Sequence, residues 1–77
     1  MILEKVTNIF REIFADEMLE LTVATTPEDI EEWDSLSHIQ IVEEIEKSFG
    51  IKLQLDDVFQ VKNVGDFINI IERCIDK

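Results

Sequence analysis

Residues 33–50 read Trp33-Asp34-Ser35-Leu36-Ser37-His38-Ile39-Gln40-Ile41-Val42-Glu43-Glu44-Ile45-Glu46-Lys47-Ser48-Phe49-Gly50, and they describe a helix with both ends marked. Asp34 is a natural N-cap, because its carboxylate can accept from the free N–H groups of the first turn. The spacing of Leu36, Ile39, Val42, Ile45 and Phe49 predicts an amphipathic helix over residues 35–49, with those side chains inward. Gln40, Glu43, Glu44 and Lys47 then face mostly outward. Gly50 supplies the left-handed residue that closes a helix, and Ile51 stands where the accompanying apolar contact is expected. Ser35 sits at the helix start, where unpaired N–H groups and the positive end of the helix dipole favour a phosphate.

On the N-terminal side, Ile2, Leu3, Val6, Ile9, Phe10, Ile13, Phe14 and Met18 recur at spacings of three and four. They predict a first helix over residues 2–18. The period is lost from Leu19 to Thr26, where threonines and Val23 disfavour helix, so a long first loop is expected. Thr26-Pro27-Glu28-Asp29 reads as one short turn of helix with a capping hydroxyl and a proline at the first helical position. Ile30 and Trp33 pin this loop to the core. Trp33 precedes the cap by one residue and is read as a hydrophobic staple on position 38, in preference to a partner contact.

Beyond Gly50, the alternation Ile51-Lys52-Leu53-Gln54-Leu55 suits a strand but has no partner strand, so it is read as extended loop. Asp56-Asp57-Val58-Phe59 opens a short third helix with acids at its favourable end. Asn63 caps a last helix, with Asp66 three residues on and Val64, Phe67, Ile68, Ile71 and Ile75 inward. Cys74 flanks that stripe and is read as packing. The expected fold is all-α, a small four-helix bundle of three main helices and one short one. Residues 1–77 form a single domain.

Apolar residues make up 45% of the 77 positions, enough for one small core. The seven basic and 18 acidic residues give a net charge of −11, which disfavours nucleic acid and anionic lipid as partners. Residues 12–46 hold 12 of the acids and no Lys or Arg, so the remainder is close to neutral. A partner with a basic surface is implied. The N-terminus lacks a signal-peptide pattern and no apolar run matches a membrane span, so a cytoplasmic monomer is expected. A single cysteine excludes an internal disulfide.

Asp34, Ser35 and His38 invite comparison with a hydrolytic triad. That chemistry also needs an oriented base and an oxyanion hole, and the two glycines, Gly50 and Gly65, leave no G-x-S-x-G elbow. No catalytic residue is therefore assigned. No segment matches the calcium loop D-x-[DN]-x-[DN]-G, so a divalent-cation sensor and a metal site are set aside. An unmodified acidic helical interaction module remains as an alternative.

Asp34-Ser35-Leu36 followed by Ile39, Val42, Ile45 and Phe49 resembles the prosthetic-group site and second helix of the acyl carrier protein family. Length, acidity and element order agree with it across nearly the whole chain. The resemblance implies that Ser35 carries 4′-phosphopantetheine, which holds an acyl or aminoacyl group as a thioester. Asp34 and Leu36 then frame the site for a phosphopantetheinyl transferase, with Leu36 anchoring the turn from below. An acyl-loading ligase or acyltransferase and downstream acyl-processing enzymes are the further partners implied. Glu43, Glu44 and Glu46 lie two to three turns past Ser35, and in the family that helix docks on basic enzyme surfaces. Trp33 and His38 depart from the carriers of primary fatty acid synthesis, as do the uncharged Ser37 and Gln40. W-D-S-L-x-H resembles instead stand-alone carriers of specialised pathways.

Overall fold

The computed structural model describes residues 2–75. Four helices follow one another: α1 (Ile2–Ile13), α2 (Ser35–Phe49), α3 (Leu55–Phe59) and α4 (Val64–Ile75). The first helix packs against both α2 and α4. Val6, Phe10, Ile41, Ile45, Val64, Phe67 and Ile71 are fully buried where they meet. The expected all-α bundle with one short helix and a long first loop is the architecture found.

The first helix is shorter than its apolar period. It ends at Ile13, and Met18 is 84% exposed. The stop is built by Ala15, whose φ of 52° is left-handed. Asp16 N–H then reaches back to Arg11 O at 3.0 Å and Ala15 N–H to Glu12 O at 3.3 Å, which satisfies carbonyls that the helix end would leave free. Arg11 Nε donates to Leu19 O at 2.7 Å and holds the departing chain against the helix.

Residues 27–29 form a hydrogen-bonded turn and not the expected turn of helix. The cap runs the other way: Asp29 Oδ2 accepts from Thr26 N–H at 3.0 Å and from the Thr26 hydroxyl at 3.3 Å. Ile30 and Trp33 are buried in the core, as anticipated. The loop also closes the start of α4, where Val64 N–H donates to Thr25 O at 2.9 Å and Gly65 N–H to Val23 O at 2.8 Å. Two free N–H groups of that helix are thereby paired. Gly65 is required at this crossing, because an added Cβ would stand 2.9 Å from Val23 O.

In α2, the buried face is Ser37, Ile41, Val42 and Ile45, with His38 and Phe49 half-buried. Leu36 and Ile39, expected inward, are 67% and 47% exposed. A step of three residues falls about 60° short of a full turn, so a row 36, 39, 42, 45 walks halfway round the helix. Leu36 ends up opposite Ile45. Gly50 closes α2 with φ 64°, and Ile51 N–H bonds Glu46 O at 3.1 Å. Glu46 Oε2 accepts from Leu53 N–H at 2.9 Å, which ties the extended linker, residues 51–54, back to α2.

Asn63 caps α4 through its side chain, accepting Asp66 N–H at 2.9 Å. Asp66 in turn accepts from Lys62 N–H at 2.9 Å. Ile70 joins Val64, Phe67 and Ile71 in the core, whereas Ile75, expected inward, is 48% exposed. It stands past the turns of α4 that carry the buried side chains. Cys74 is a half-buried free thiol whose Sγ donates to Lys52 O at 3.6 Å.

Candidate functional site

Asp34 is the N-cap of α2, extended in backbone, with its Oδ1 accepting Ser37 N–H at 3.0 Å. Ser37 completes a reciprocal box, since its Oγ accepts Asp34 N–H at 2.8 Å. The Ser37 hydroxyl donates to Glu32 O at 3.0 Å and is 7% exposed. These hydrogen bonds, the Ser37 N–H first among them, hold the Asp34 carboxyl below the ordinary aspartate pKa. The charged carboxylate is therefore part of the turn.

Ser35 stands one residue after the cap and faces the opposite way, exposed to solvent. The two serines divide the work of the turn. Ser37 is consumed by structure, and Ser35 presents its Oγ outward at the positive end of the helix. The role of Ser37 could have been read from its place three residues after Asp34, which is the partner position of a capping box.

The staple expected between Trp33 and position 38 is present, and it is polar as well as apolar. Trp33 Nε1–H donates to His38 Nδ1 at 3.0 Å, and the rings stack with centroids 6.0 Å apart. An indole nitrogen only donates, so Nδ1 is the bare nitrogen of the imidazole. The proton is on Nε2, which donates to Val58 O at 2.9 Å. His38 thus joins the first turn of α2 to α3. Both its nitrogens are engaged, and it has none to offer Ser35 as a base.

A groove of about 360 Å³ opens beside Ser35, lined by Pro27, Trp33, His38, Ile39, Phe59 and Val61 among others. Leu36 does not anchor the turn from below; it lies outside with Ile39, and Phe59 of α3 is 68% exposed. Of the acids placed two to three turns on, Glu43 is exposed and Glu44 and Glu46 are half-buried. The Glu46 carboxylate is already bound to the linker. Among the described residues no cluster of His, Cys, Asp and Glu is arranged to hold a metal ion. None of the described helices is long and apolar enough to cross a membrane.

An all-α bundle that presents an exposed serine at the start of its second helix is the form of a prosthetic-group carrier. Residues 4–71 match the family described as Phosphopantetheine attachment site. The acyl carrier protein of Streptococcus pneumoniae serotype 4 is 32% identical over 72 residues, covering 94% of this chain and 93% of that protein. The acyl carrier protein of Streptococcus pyogenes serotype M1 is 34% identical over the same coverage. The solution structure of the holo acyl carrier protein from Geobacter metallireducens superimposes with a TM-score of 0.89 at 36% identity, covering 96% of this chain and 85% of that one.

The chain belongs to the acyl carrier protein family. It is a non-catalytic carrier bearing covalent 4′-phosphopantetheine, and a phosphopantetheinyl transferase and acyl-processing enzymes are its general partners. An outward hydroxyl beside an open groove is a fitting place for such a group.

Proposed function

We propose that Ser35 is the attachment residue and that residues 1–77 act as a single carrier domain. The observation that carries this is the contrast within one turn: Ser37 Oγ is buried in hydrogen bonds, while Ser35, two positions earlier, is exposed at the helix start. When attached, the group supplies a flexible arm whose thiol holds an acyl or aminoacyl cargo as a thioester. Ser35 Oγ forms the phosphodiester bond as the phosphoanhydride of coenzyme A breaks. Adenosine 3′,5′-bisphosphate leaves, and the hydroxyl proton passes to a base on the transferase.

Asp34 serves this reading by fixing the turn, and its ionised side chain stands on the surface beside the serine. Leu36 is an exposed apolar contact for the transferase and for later partners. Glu43 and Glu44 offer negative charge along the same helix to enzymes with basic surfaces, steering encounter more than adding affinity. Glu46 contributes its field from a fixed position, because its carboxylate also holds Leu53. The loading enzyme is a ligase or acyltransferase. The pathway is a specialised one: the Trp33–His38 pair gives this site a polar aromatic frame. A cytoplasmic monomer with a free thiol at Cys74 completes the reading.

The test is loading followed by intact mass. Coenzyme A, Mg²⁺ and a broad-specificity transferase should add one phosphopantetheinyl mass to the wild type and none to Ser35→Ala. A chain left unmodified under conditions that load a control carrier would instead make it an acidic helical interaction module.

A further inference from the structure

Among the described residues, Ser37 is the polar side chain that the fold buries, 7% exposed, and its one oxygen holds the chain on both sides of Trp33. It accepts Asp34 N–H at 2.8 Å and donates its single proton to Glu32 O at 3.0 Å. Asp34 O and Asp34 Oδ1, each at 3.2 Å, are the more distant acceptors. Trp33, between the two anchors, is buried in the core. Residues 32–34 therefore reach Ser35 along a path fixed from α2 itself. Ser35 takes no part in these bonds and is exposed, so its Oγ points where the backbone sends it.

Two roles of residue 37 come apart here. Its backbone N–H donates to Asp34 Oδ1 at 3.0 Å, and His38 N–H donates to Asp34 O at 2.9 Å. Neither bond needs the Ser37 side chain, so the cap of α2 survives loss of the hydroxyl. What goes is the clamp. Asp34 N–H and Glu32 O would stand beside the buried indole without their partner, and the chain relaxes to pair them with water. That relaxation moves the backbone immediately before Ser35. Attack on the phosphoanhydride of coenzyme A requires Oγ in line with the breaking P–O bond, and a misplacement of about 1 Å slows such a step about a hundredfold.

We infer that Ser37 is a positioning residue for loading: by clamping Glu32 O and Asp34 N–H, its hydroxyl aims Ser35 Oγ at the reacting phosphorus. This rests on attachment at Ser35. The effect falls on the transfer step and not on docking, because the exposed face of α2 keeps its place when the hydroxyl is removed. The same bonds withhold Ser37 from the reaction, since its proton is engaged and its oxygen is buried.

The experiment is single-turnover loading with coenzyme A, Mg²⁺ and a broad-specificity transferase in varied excess, at a temperature where circular dichroism shows each protein folded. Fragment masses first place the addition. No addition to the wild type, or addition on Ser37, overturns the attachment reading itself. Given loading at Ser35, Ser37→Ala should lower the maximal rate about ten- to a hundredfold and leave the half-saturating transferase concentration unchanged. Ser37→Thr, which keeps the hydroxyl, should restore the rate. Ile70→Val, which loosens the core away from the turn, should load like the wild type. A folded Ser37→Ala that loads at the wild-type rate, or whose loss lies in the half-saturating concentration, would overturn the proposal. So would a folded Ser37→Thr as slow as Ser37→Ala, or an Ile70→Val slowed to the same extent. Should Ser37→Ala not fold, Ser37→Cys decides by the same criteria, because a thiol fills the site with a weaker donor and acceptor.

Discussion

The Trp33 indole N–H donates to His38 Nδ1 at 3.0 Å, and the bond spans Asp34 and Ser35, the cap and the proposed attachment residue. It fixes the approach of the loop to α2 and the tautomer of His38, and through the tautomer it fixes the contact with α3. Trp33→Phe and His38→Phe should each lower stability by about 1–3 kcal/mol, since each strands a polar partner. The double variant should cost less than the sum, with a coupling of roughly 0.5–3 kcal/mol. Urea denaturation of the four proteins measures this, and strictly additive losses would show the bond to be idle.

Asp34 gives the turn a pH dependence whose sign follows from its hydrogen bonds. Acceptance of Ser37 N–H favours the carboxylate in the folded state, so the folded pKa lies below the unfolded one. The stabilisation is present above the ordinary aspartate value of about 3.9 and is lost as pH falls through the lower folded value. Melting temperature followed from pH 6 to pH 2 should fall less steeply in Asp34→Asn than in the wild type. Parallel curves would mean that other carboxylates carry the acid sensitivity.

Two helix ends make opposite predictions for glycine. Ala15 holds φ 52° where most helices would place glycine, while Gly50 holds φ 64° with open space around it. Ala15→Gly relieves a left-handed residue at about 1–2 kcal/mol, against about 0.4–1 kcal/mol of added unfolded-state entropy. A small net gain in stability is expected. Gly50→Ala should lose about 1 kcal/mol, because strain and not crowding sets its cost. Thermal melts of both variants check the pair.

Glu43→Lys with Glu44→Lys should slow loading by a transferase with a basic docking surface, and wild-type loading should slow as salt rises. The control is the same reversal at Glu4 and Glu12 on α1. Stopped-flow association rates distinguish the cases. Equal losses in both double variants would show that net charge alone matters and that α2 has no special place.

The caps were the most legible features of the sequence, because capping is local chemistry: Asp34, Gly50 and Asn63 act where their residue types say they should. Helix faces were less so. Leu36 was drawn inward by a row of threes that drifts around the helix, and only the packing of Ile41 and Ile45 against α1 reveals which side is buried. The end of α1 was hidden because Ala15 takes a conformation that its side chain does not advertise. The Trp33–His38 contact was legible as a staple, but its hydrogen bond and its extension to Val58 depend on tertiary placement. Ser37 is an uncharged departure from the familiar carriers because its hydroxyl is the reciprocal half of the Asp34 cap.

The most direct test is to localise the added mass within the turn. Fragmentation of a peptide that spans Trp33 to Phe49, taken from protein loaded in vitro, separates Ser35 from Ser37 and Ser48. The account predicts the whole phosphopantetheinyl mass on Ser35, with Ser37→Ala still loaded though less stable. Modification of Ser37 or Ser48, or loading that survives Ser35→Ala, would contradict it.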